Sequence, residues 1–268
     1  EARQIINSDA KIINRLGSNA LANYLLVNKG VYATDEDVPV NPATGERMKA
    51  ANNKNNGYVY MQAGDPIWVD VNGDYIIDDK DKVVVGNSQP RLTGGFNANL
   101  RYKSFSINTN FSFTIKRDII NKALADRFAA YGNPLSKDLN GSGAITPIEA
   151  FDFWKEDHIY AKYPNPFDYI RGGTADHQVN FFRPDQTLFM EDGSFLKING
   201  VSISYVLPKK VLDFLRVERV QLNASVNNIY TFSKYSGVNP ENVNSLGYDV
   251  SGGYPNSRNY TMGVSIDF

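Results

Sequence analysis

The sequence predicts an all-β chain whose strands form part of an antiparallel transmembrane β-barrel. The clearest indication lies in the last eleven residues, Arg258–Phe268, where side chains alternate between two faces. A tilted strand needs about 9–11 residues to cross a bilayer, which matches this length. A soluble β-sandwich strand can alternate in the same way, so the prediction needs support from other strands. The apolar positions are Tyr260, Met262, Val264, Ile266 and Phe268.

A second indication is a predicted hairpin between residues 92 and 115. Leu92–Tyr102 and Phe105–Ile115 both alternate with a period of two, and the two-residue link Lys103-Ser104 predicts a tight turn. Their polar faces hold Asn, Ser, Thr, Gly and a single Arg, without an acidic residue. A soluble antiparallel sheet with one solvated face is expected to carry more Lys and Glu. The scarcity of charge therefore favours polar faces that line a wet barrel interior.

Two further strands are predicted downstream. Phe195–Leu207 has an apolar side that Lys197 and Asn199 interrupt, so its lipid-facing part is expected to begin around Val201. Residues 209–216 are predicted to form a short amphipathic helical turn. We expect the terminal strand to pair with the strand that follows this turn. The apolar side of that strand carries Val220, Leu222, Ala224, Val226 and Tyr230.

Composition narrows the classes of function. Lys and Arg number 28 against 29 Asp and Glu, and the basic residues are scattered, which disfavours nucleic-acid binding. The absence of cysteine excludes disulfides and thiolate metal sites. No apolar run reaches the length of about eighteen residues that predicts a membrane-spanning helix. Because the chain begins at Glu1 without Met or a signal sequence, we expect it to begin within a longer protein.

The most distinctive polar cluster lies between residues 70 and 81. Its oxygen-bearing residues fall at alternate positions of a twelve-residue Ca²⁺ loop, as expected when every second residue turns towards the ion. Position six, which is usually Gly, is Tyr75, and position twelve is Asp rather than the bidentate Glu. A bare acidic turn built on Asx hydrogen bonds is the alternative, and the spacing leaves both open. The predicted ligands are Asp70, Asn72, Asp74, the backbone carbonyl of Ile76, Asp78 and Asp81.

A long insertion, residues 117–185, separates the second and third of these strands. Long loops on one side are typical of outer-membrane barrels, so the insertion is predicted to lie outside the cell. Residues 119–131 and 147–159 are predicted to be helical. His158 and His177 lack a ligand partner at helical spacing, which indicates ordinary surface histidines. Four aromatic residues are candidates to face a nutrient or a partner, although packing within the loop is the commoner role: Tyr160, Tyr163, Phe167 and Tyr169.

The N-terminal part of the chain carries weaker signals. Leu21–Val27 is the best strand candidate there, and Tyr58 and Tyr60 begin another short strand. Residues 34–56 are rich in Asp, Glu, Asn, Pro and Lys without periodicity, which predicts a long solvated loop. The pattern expected of barrel strands therefore begins in earnest only at Leu92.

Several short motifs stand in a fixed order from Gly64 onwards. In this order they resemble the C-terminal portion of a SusC-like, or RagA-like, TonB-dependent transporter of the Bacteroidetes outer membrane. The joint spacing is far more specific than any single motif. The motifs are Gly64-Asp65-Pro66, Asp70–Asp74 with Ile77–Asp79 and Asp81, Val85–Asn87, Gly95–Asn97, Glu191–Ile198, Tyr205–Pro208, Ala224–Asn228, Thr231–Gly237, Tyr254-Pro255 and Phe268.

The resemblance implies a 22-stranded antiparallel β-barrel that holds a plug, is energised through TonB and is surrounded by outer-membrane lipid. It also implies a SusD-like surface lipoprotein as a lid, and assembly machinery that reads the terminal Phe268. Nothing in this chain resembles the plug or the TonB box. Since 22 strands need about 220 strand residues, the chain is expected to complete its barrel with the remainder of the same protein.

Two functions from different classes are consistent with these observations. The first is TonB-dependent import of an oligomeric nutrient, a glycan or a peptide, across the bacterial outer membrane. It requires no enzymatic chemistry, and the sequence shows no nucleophile with its base, Gly-x-Ser-x-Gly motif or phosphate loop. The second is an extracellular β-sandwich module for binding or adhesion, stabilised by Ca²⁺ at the acidic loop. A passive porin is a weaker third hypothesis, because the motifs indicate an energised transporter.

Overall fold

Strands dominate the computed structural model, which describes residues 5–6, 12–14, 22–52, 57–131, 148–167, 179–244, 246–249 and 256–268. The helices are α1 (Lys122–Tyr131) and α2 (Lys209–Leu215), with 3₁₀ turns at Asp35–Asp37, Asp79–Asp81, Ile148–Ala150 and Thr187–Phe189. This composition confirms the all-β prediction. The strands are β1 (Ile5–Ile6), β2 (Ile12–Asn14), β3 (Ala22–Leu25), β4 (Asn28–Val31), β5 (Lys49–Asn52), β6 (Gly57–Tyr60), β7 (Pro66–Trp68), β8 (Ile76–Ile77), β9 (Val83–Val84), β10 (Leu92–Tyr102), β11 (Phe105–Ile115), β12 (Asp118–Ile120), β13 (Met190–Asp192), β14 (Phe195–Val206), β15 (Arg219–Ser233) and β16 (Asn259–Asp267).

The chain divides into two compact units. The first comprises residues 1–88, 119–190 and 243–251, and the second comprises residues 89–118, 191–242 and 252–268. Most of the insertion at 117–185 therefore shares a unit with the N-terminal part of the chain, an association that the sequence did not indicate.

The second unit contains a five-stranded antiparallel sheet with the order β10-β11-β14-β15-β16. β10 and β11 pair along their full length, from Leu92 opposite Ile115 to Tyr102 opposite Phe105, which confirms the predicted hairpin. Lys103, in the two-residue turn, has a φ of 50°, as the tight turns of hairpins require. β16 pairs with β15, as expected for the terminal strand.

The first unit is built from smaller sheets, with the orders β1-β2-β3-β9, β4-β7 and β6-β5-β8. The prediction of a solvated loop over residues 34–56 holds for residues 39–47, which are exposed except for the half-buried Asn41, and is wrong where β5 and the 3₁₀ turn Asp35–Asp37 form. Val38 and Met48 are buried there, in a core that includes Val179 and Phe181 from the insertion. Contacts between residues so far apart in sequence leave no local periodicity.

The insertion is less helical than predicted. Helix α1 begins at Lys122, where the side-chain carbonyl of Asn121 accepts a hydrogen bond from the Leu124 amide at 3.0 Å and so caps the helix. Of residues 148–159, only the 3₁₀ turn Ile148–Ala150 is helical, so the second predicted helix is wrong there. In the described part of the chain, no helix combines the length and apolar character needed to cross a bilayer.

The segment that follows the insertion is hydrogen-bonded to the N-terminal part of the chain. The Leu26 amide donates to the Asp185 carbonyl at 3.0 Å, and the Thr187 amide donates to the Leu26 carbonyl at 2.9 Å. Between them, Gln186 is fully buried and accepts a hydrogen bond from Trp68 Nε1 at 2.8 Å. The Gln186 amide nitrogen donates in turn to the Phe181 carbonyl at 2.7 Å. A buried amide that uses both its oxygen and its nitrogen specifies one docking position for this segment.

A buried ion-pair network lies next to these hydrogen bonds. Lys82 Nζ contacts Asp79 Oδ1 at 2.8 Å and Asp185 Oδ2 at 2.7 Å, and its side chain is 1% exposed. Arg183 donates to both oxygens of Asp185, at 2.6 and 2.7 Å. Burial opposes ionisation of Asp185, but the hydrogen bonds and charges of Arg183 and Lys82 hold its pKa well below its usual range. The network joins the end of the acidic loop to the end of the insertion.

Replacing Asp185 with Asn should destabilise the first unit by about 3–5 kcal/mol, because Lys82 and Arg183 would lose their buried carboxylate partner and keep only Asp79, which is 48% exposed. Because the pKa of Asp185 is lower in the folded protein, its contribution is complete above the unfolded value of 3.8 and is lost as the pH falls below it. Urea unfolding followed by tryptophan fluorescence at pH 7 and pH 3 measures both effects.

The matched control is Asp126→Asn, which removes an ion pair between Lys122 and Asp126 on helix α1. Asp126 is 56% exposed, so its loss should change the unfolding free energy by less than about 0.5 kcal/mol. Equal effects of the two substitutions would show that the buried network contributes nothing special.

Candidate membrane-facing sheet and ligand-facing loops

The apolar positions of the strands in the second unit lie on one face of the five-stranded sheet. Residues paired across antiparallel strands share a side, so Phe96 lies beside Phe111, and Phe111 lies beside Ile198. The Phe96 and Phe111 rings stack with centroids 4.5 Å apart, and Phe105 stacks on Tyr205 at 4.4 Å. Cross-strand contacts thus make the apolar face continuous over neighbouring strands.

This apolar face is exposed rather than covered. A soluble monomer rarely exposes a contiguous apolar patch of more than a few hundred Å². A β-sandwich would bury such side chains between two sheets, whereas a barrel wall presents them to lipid. The exposed members of the face are Leu92, Phe96, Leu100, Tyr102, Phe105, Ile115, Leu196, Ile203, Leu222, Tyr230, Phe232, Tyr260, Met262, Val264, Ile266 and Phe268.

A β-bulge in β14 changes the predicted register of that strand. While β11 advances by two residues, from Thr109 to Phe111, β14 moves by three, from Val201 to Ile198. The extra residue reverses the alternation, so Ile198 continues the apolar face and Lys197 turns to the polar face. The prediction that the lipid-facing part of β14 begins around Val201 is therefore wrong, because counting with a strict period of two cannot detect a bulge.

The opposite face of the sheet is polar, as predicted. Asn97 pairs with Asn110 across β10 and β11. At the bulge, Ser112 Oγ donates to Asn199 Oδ1 at 3.2 Å. Neutral amides and hydroxyls can exchange hydrogen bonds with one another or with water, which suits the wall of a water-filled interior.

A charged cluster at one end of this polar face was not predicted. Lys197 is 8% exposed and forms an ion pair with Glu241. The Arg117 guanidinium donates to the Pro240 carbonyl, and burial lowers the Arg117 pKa while the charge of Glu241 opposes that shift. These contacts hold residues 240–241 beside the ends of β11 and β14. The sequence did contain one signal for this cluster. Lys197 is a charged residue at an alternate position of the third predicted strand, where the other residues are mostly apolar.

The acidic loop is closed by its own carboxylates. Asp70 accepts hydrogen bonds from the Gly73 amide at 2.7 Å and from the Tyr75 amide at 2.8 Å. Tyr75 has a φ of 62°, so it adopts the left-handed conformation for which Gly is usual at this position. Asp81 is fully buried and accepts from the Val71 and Asp78 amides. Burial raises the pKa of Asp81, and the backbone hydrogen bonds oppose the rise.

The remaining predicted ligands also take part in local contacts. The Asn72 and Asp74 side chains each accept a hydrogen bond from the amide two residues later, and Asp78 accepts from the Lys80 amide. Ile76 lies in β8, opposite Lys49 of β5. Among the described residues, no three Asp, Glu, His or Cys side chains are grouped as a metal ion would require. These contacts are those of an Asx-stabilised turn, and Ca²⁺ binding stays a prediction.

The candidate aromatic residues of the insertion have different environments. Tyr163 is 7% exposed and packs against Phe128 with ring centroids 4.8 Å apart, so its assignment to the ligand-facing surface is wrong. Several buried aromatic rings pack around Phe128, and Tyr163 turns inwards to join them. Tyr160 and Phe167 are 82% and 48% exposed and remain candidates for the surface. Tyr169 lies outside the described residues.

His158 has a partner that the sequence did not reveal. Its Nε2 lies 2.7 Å from Asp152 Oδ1, and the other oxygen of Asp152 accepts the Lys162 amide at 3.0 Å. The hydrogen bond with His158 lowers the pKa of Asp152. A separation of six residues fits no helical ligand spacing, so a search at three or four residues missed the pair. His177 lies outside the described residues.

Comparison with known proteins places these features in context. No protein-family model matches the chain. The chain is 26% identical over 216 residues to TonB-dependent receptor P3 of Formosa agariphila, a match that covers 76% of the chain and 19% of that protein. It is 25% identical over 275 residues to TonB-dependent receptor SusC of Bacteroides thetaiotaomicron, covering 94% of the chain and 24% of SusC. The chain therefore spans about a fifth to a quarter of these relatives.

Solved structures show the same fold. The structure of the RagAB peptide transporter matches with a TM-score of 0.65 and 19% identity, over 99% of the chain and 25% of the transporter chain. The RagAB peptide importer in its open-open state matches with a TM-score of 0.60 and 18% identity, over 99% and 24% of the two chains. At this identity the likeness establishes the fold alone. All these matches are receptors or transporters by name, which fits the prediction that the chain is not an enzyme.

Ca²⁺ should raise the thermal midpoint of the unmodified protein, and the double substitution Asp70→Asn with Asp74→Asn should abolish that rise by removing two charged ligands. Differential scanning fluorimetry with Ca²⁺ and with EDTA measures the difference. The control Asp126→Asn, outside the loop, should keep the full response. A midpoint that ignores Ca²⁺ in the unmodified protein would leave the Asx turn as the complete account.

Proposed function

Because the chain belongs to the SusC-like TonB-dependent receptors, we propose that it forms the C-terminal portion of a 22-stranded β-barrel that imports a nutrient across the bacterial outer membrane. The carrying observation is the sheet of the second unit, whose exposed apolar face lies opposite a face of Asn, Ser and Thr. Outer-membrane lipid covers the first face, and the second lines the barrel interior.

The edges of the sheet support a larger barrel. In the part of the chain that the structure describes, β10 and β16 each pair on one side only. An unpaired strand edge inside a bilayer costs several kcal/mol for each unsatisfied backbone group. These edges pair with other strands of the same barrel, and the terminal Phe268, which is 90% exposed, serves as the assembly signal.

Import is energised by the TonB complex, which acts through parts of the protein outside this chain, and a SusD-like lipoprotein forms the lid. The name TonB-dependent receptor SusC supports the TonB complex as the energy source, and the lipoprotein lid is what the resemblance to SusC-like transporters implies. The cargo is an oligomeric glycan or peptide, for which the exposed Tyr160 and Phe167 offer stacking surfaces in the insertion, which lies outside the cell. No bond is made or broken by this chain.

A Ca²⁺-stabilised β-sandwich for binding or adhesion is not favoured, because the apolar face that a sandwich would bury is exposed. Extraction separates the two functions cheaply. A barrel should stay with the outer membrane after washes with high salt and EDTA and should be released only by detergent. Release without detergent would support the sandwich.

Deleting TonB or the partner lipoprotein should abolish growth on, and uptake of, the nutrient that the transporter carries. Both deletions remove a component that a passive pore does not need, so the same assay tests the porin hypothesis. Uptake of a fluorescently labelled oligomer by intact cells measures the effect, with a small sugar that diffuses through porins as the control. Undiminished uptake in either deletion strain would contradict energised import.

Phe111→Lys should strongly impair the barrel, since a lysine on the lipid face near the bilayer midplane costs about 2–4 kcal/mol. Asn110→Lys is the matched control, because the adjacent residue faces the opposite side of β11. Phe111→Leu controls for loss of the stack with Phe96. Heat-modifiable migration and the level in purified outer membranes report assembly, and equal tolerance of both lysines would contradict the assignment of the faces.

A further inference from the structure

Helix α2 exposes an apolar stripe that nothing described so far explains. Val211, Phe214 and Leu215 stand at positions i, i+3 and i+4, so they share one side of the helix. Their exposures are 36%, 86% and 49%. An amphipathic helix of a soluble unit buries such a stripe, whereas this helix turns it outwards.

The stripe is accompanied by basic residues. Residues 209–219 contain four basic side chains against two acidic ones. The basic members are Lys209, Lys210, Arg216 and Arg219. An exposed apolar stripe with a basic surround is the arrangement that binds an anionic lipid surface, with aromatic and aliphatic side chains among the acyl chains and lysines beside the phosphates.

The position of α2 in the sheet matches such a surface. The helix connects the end of β14 to the start of β15, and the Leu207 amide donates to the Val220 carbonyl at 3.0 Å to close the connection. Three aromatic residues of the apolar face lie at the same end of the strands as α2. They are Tyr102, Phe105 and Tyr205, which are paired across β10, β11 and β14. Aromatic girdles of this kind mark the level where a barrel wall meets the headgroups.

The helix has a defined end next to β15. Arg216 ends it in the left-handed conformation, with a φ of 55°, and its amide bonds the Leu212 carbonyl. Leu212 is half-buried, unlike Phe214. A helix of seven residues would not bind a membrane by itself. Here the flanking strands β14 and β15 would hold it at the boundary between lipid and water.

We propose that α2 is an interfacial anchor, lying in the headgroup layer of the leaflet at the short-turn end of the sheet with Val211, Phe214 and Leu215 among the acyl chains. This inference rests on the proposed function, which places the sheet in the outer membrane. Because the long insertion lies outside the cell, the leaflet is the periplasmic one, and the partner is an anionic phospholipid surface. The anchor fixes the depth of the β14–β15 connection.

Spin labelling of the complete transporter in vesicles of phosphatidylethanolamine and phosphatidylglycerol tests the proposal. This chain contains no cysteine, so Phe214→Cys gives this part of the transporter a single attachment point, and any cysteine elsewhere in the transporter is first replaced with serine. The label at position 214 should collide more readily with oxygen, which concentrates in lipid, than with a water-soluble nickel chelate. Asp213→Cys, on the neighbouring side of the helix, should show the reverse preference.

Two results would overturn the anchor. A label at position 214 that favours the nickel chelate places the stripe in water, and a label shielded from both reagents places another protein segment over it. Val264→Cys, on the apolar face of β16, separates this failure from that of the proposed function. If the label at position 264 prefers oxygen and the label at position 214 does not, only the anchor is refuted. If neither label prefers oxygen, the membrane-embedded sheet is refuted.

The basic residues are tested by lipid composition. Replacing phosphatidylglycerol with neutral phosphatidylcholine should move the label at position 214 towards water, because the lysines lose their anionic partners. The variant Lys209→Gln with Lys210→Gln should show the same shift in anionic vesicles. A depth that responds to neither change would overturn the anionic part of the proposal.

Discussion

Backbone pairing across β10, β11, β14, β15 and β16 is the constraint on which the two faces of the sheet depend. Inside a bilayer, each strand must satisfy its backbone groups through its neighbours, so the register of one strand fixes the facing of the next. A slip by one residue would place Asn110 on the apolar face and Phe111 on the polar face. The apolar and polar faces are therefore a property of the pairing as a whole, and no single strand determines them.

The bulge in β14 shows how this constraint is met where strands differ in length. Between the pairs on either side of it, β11 has no intervening residue, β14 has one and β15 has two. Gly200 lies at the bulge, where an added Cβ would lie 2.8 Å from Asn227 Oδ1 and would require that side chain to move. Extra residues on successive strands increase local twist and bending, which is how a flat sheet acquires the curvature of a barrel wall.

The sequence alone predicted β10, β11 and β16 well, because their alternation is local and runs for nine residues or more. It failed where the deciding contact was distant. Val38 and Met48 are buried in a core to which Val179 and Phe181, more than a hundred positions away, contribute, and Tyr163 turns inwards to meet Phe128. The pair of Asp152 and His158 lacks a regular period, and Lys197 changes face only because of the bulge. Local periodicity carries none of this information.

The described part of the insertion holds exposed side chains on a hydrogen-bonded backbone, and this bears on what its aromatic residues can do. Backbone hydrogen bonds fix the chain on either side of Tyr160. The His158 amide donates to the Lys155 carbonyl at 2.9 Å, and the Tyr163 amide donates to the Asp152 carbonyl at 2.9 Å. Tyr163 is itself buried among the rings around Phe128. An exposed ring on a fixed backbone loses less conformational entropy when it stacks on a ligand than one on a mobile loop. Under the proposed function, burial of Tyr163 therefore supports stacking of a ligand on Tyr160 without any contact between Tyr163 and that ligand.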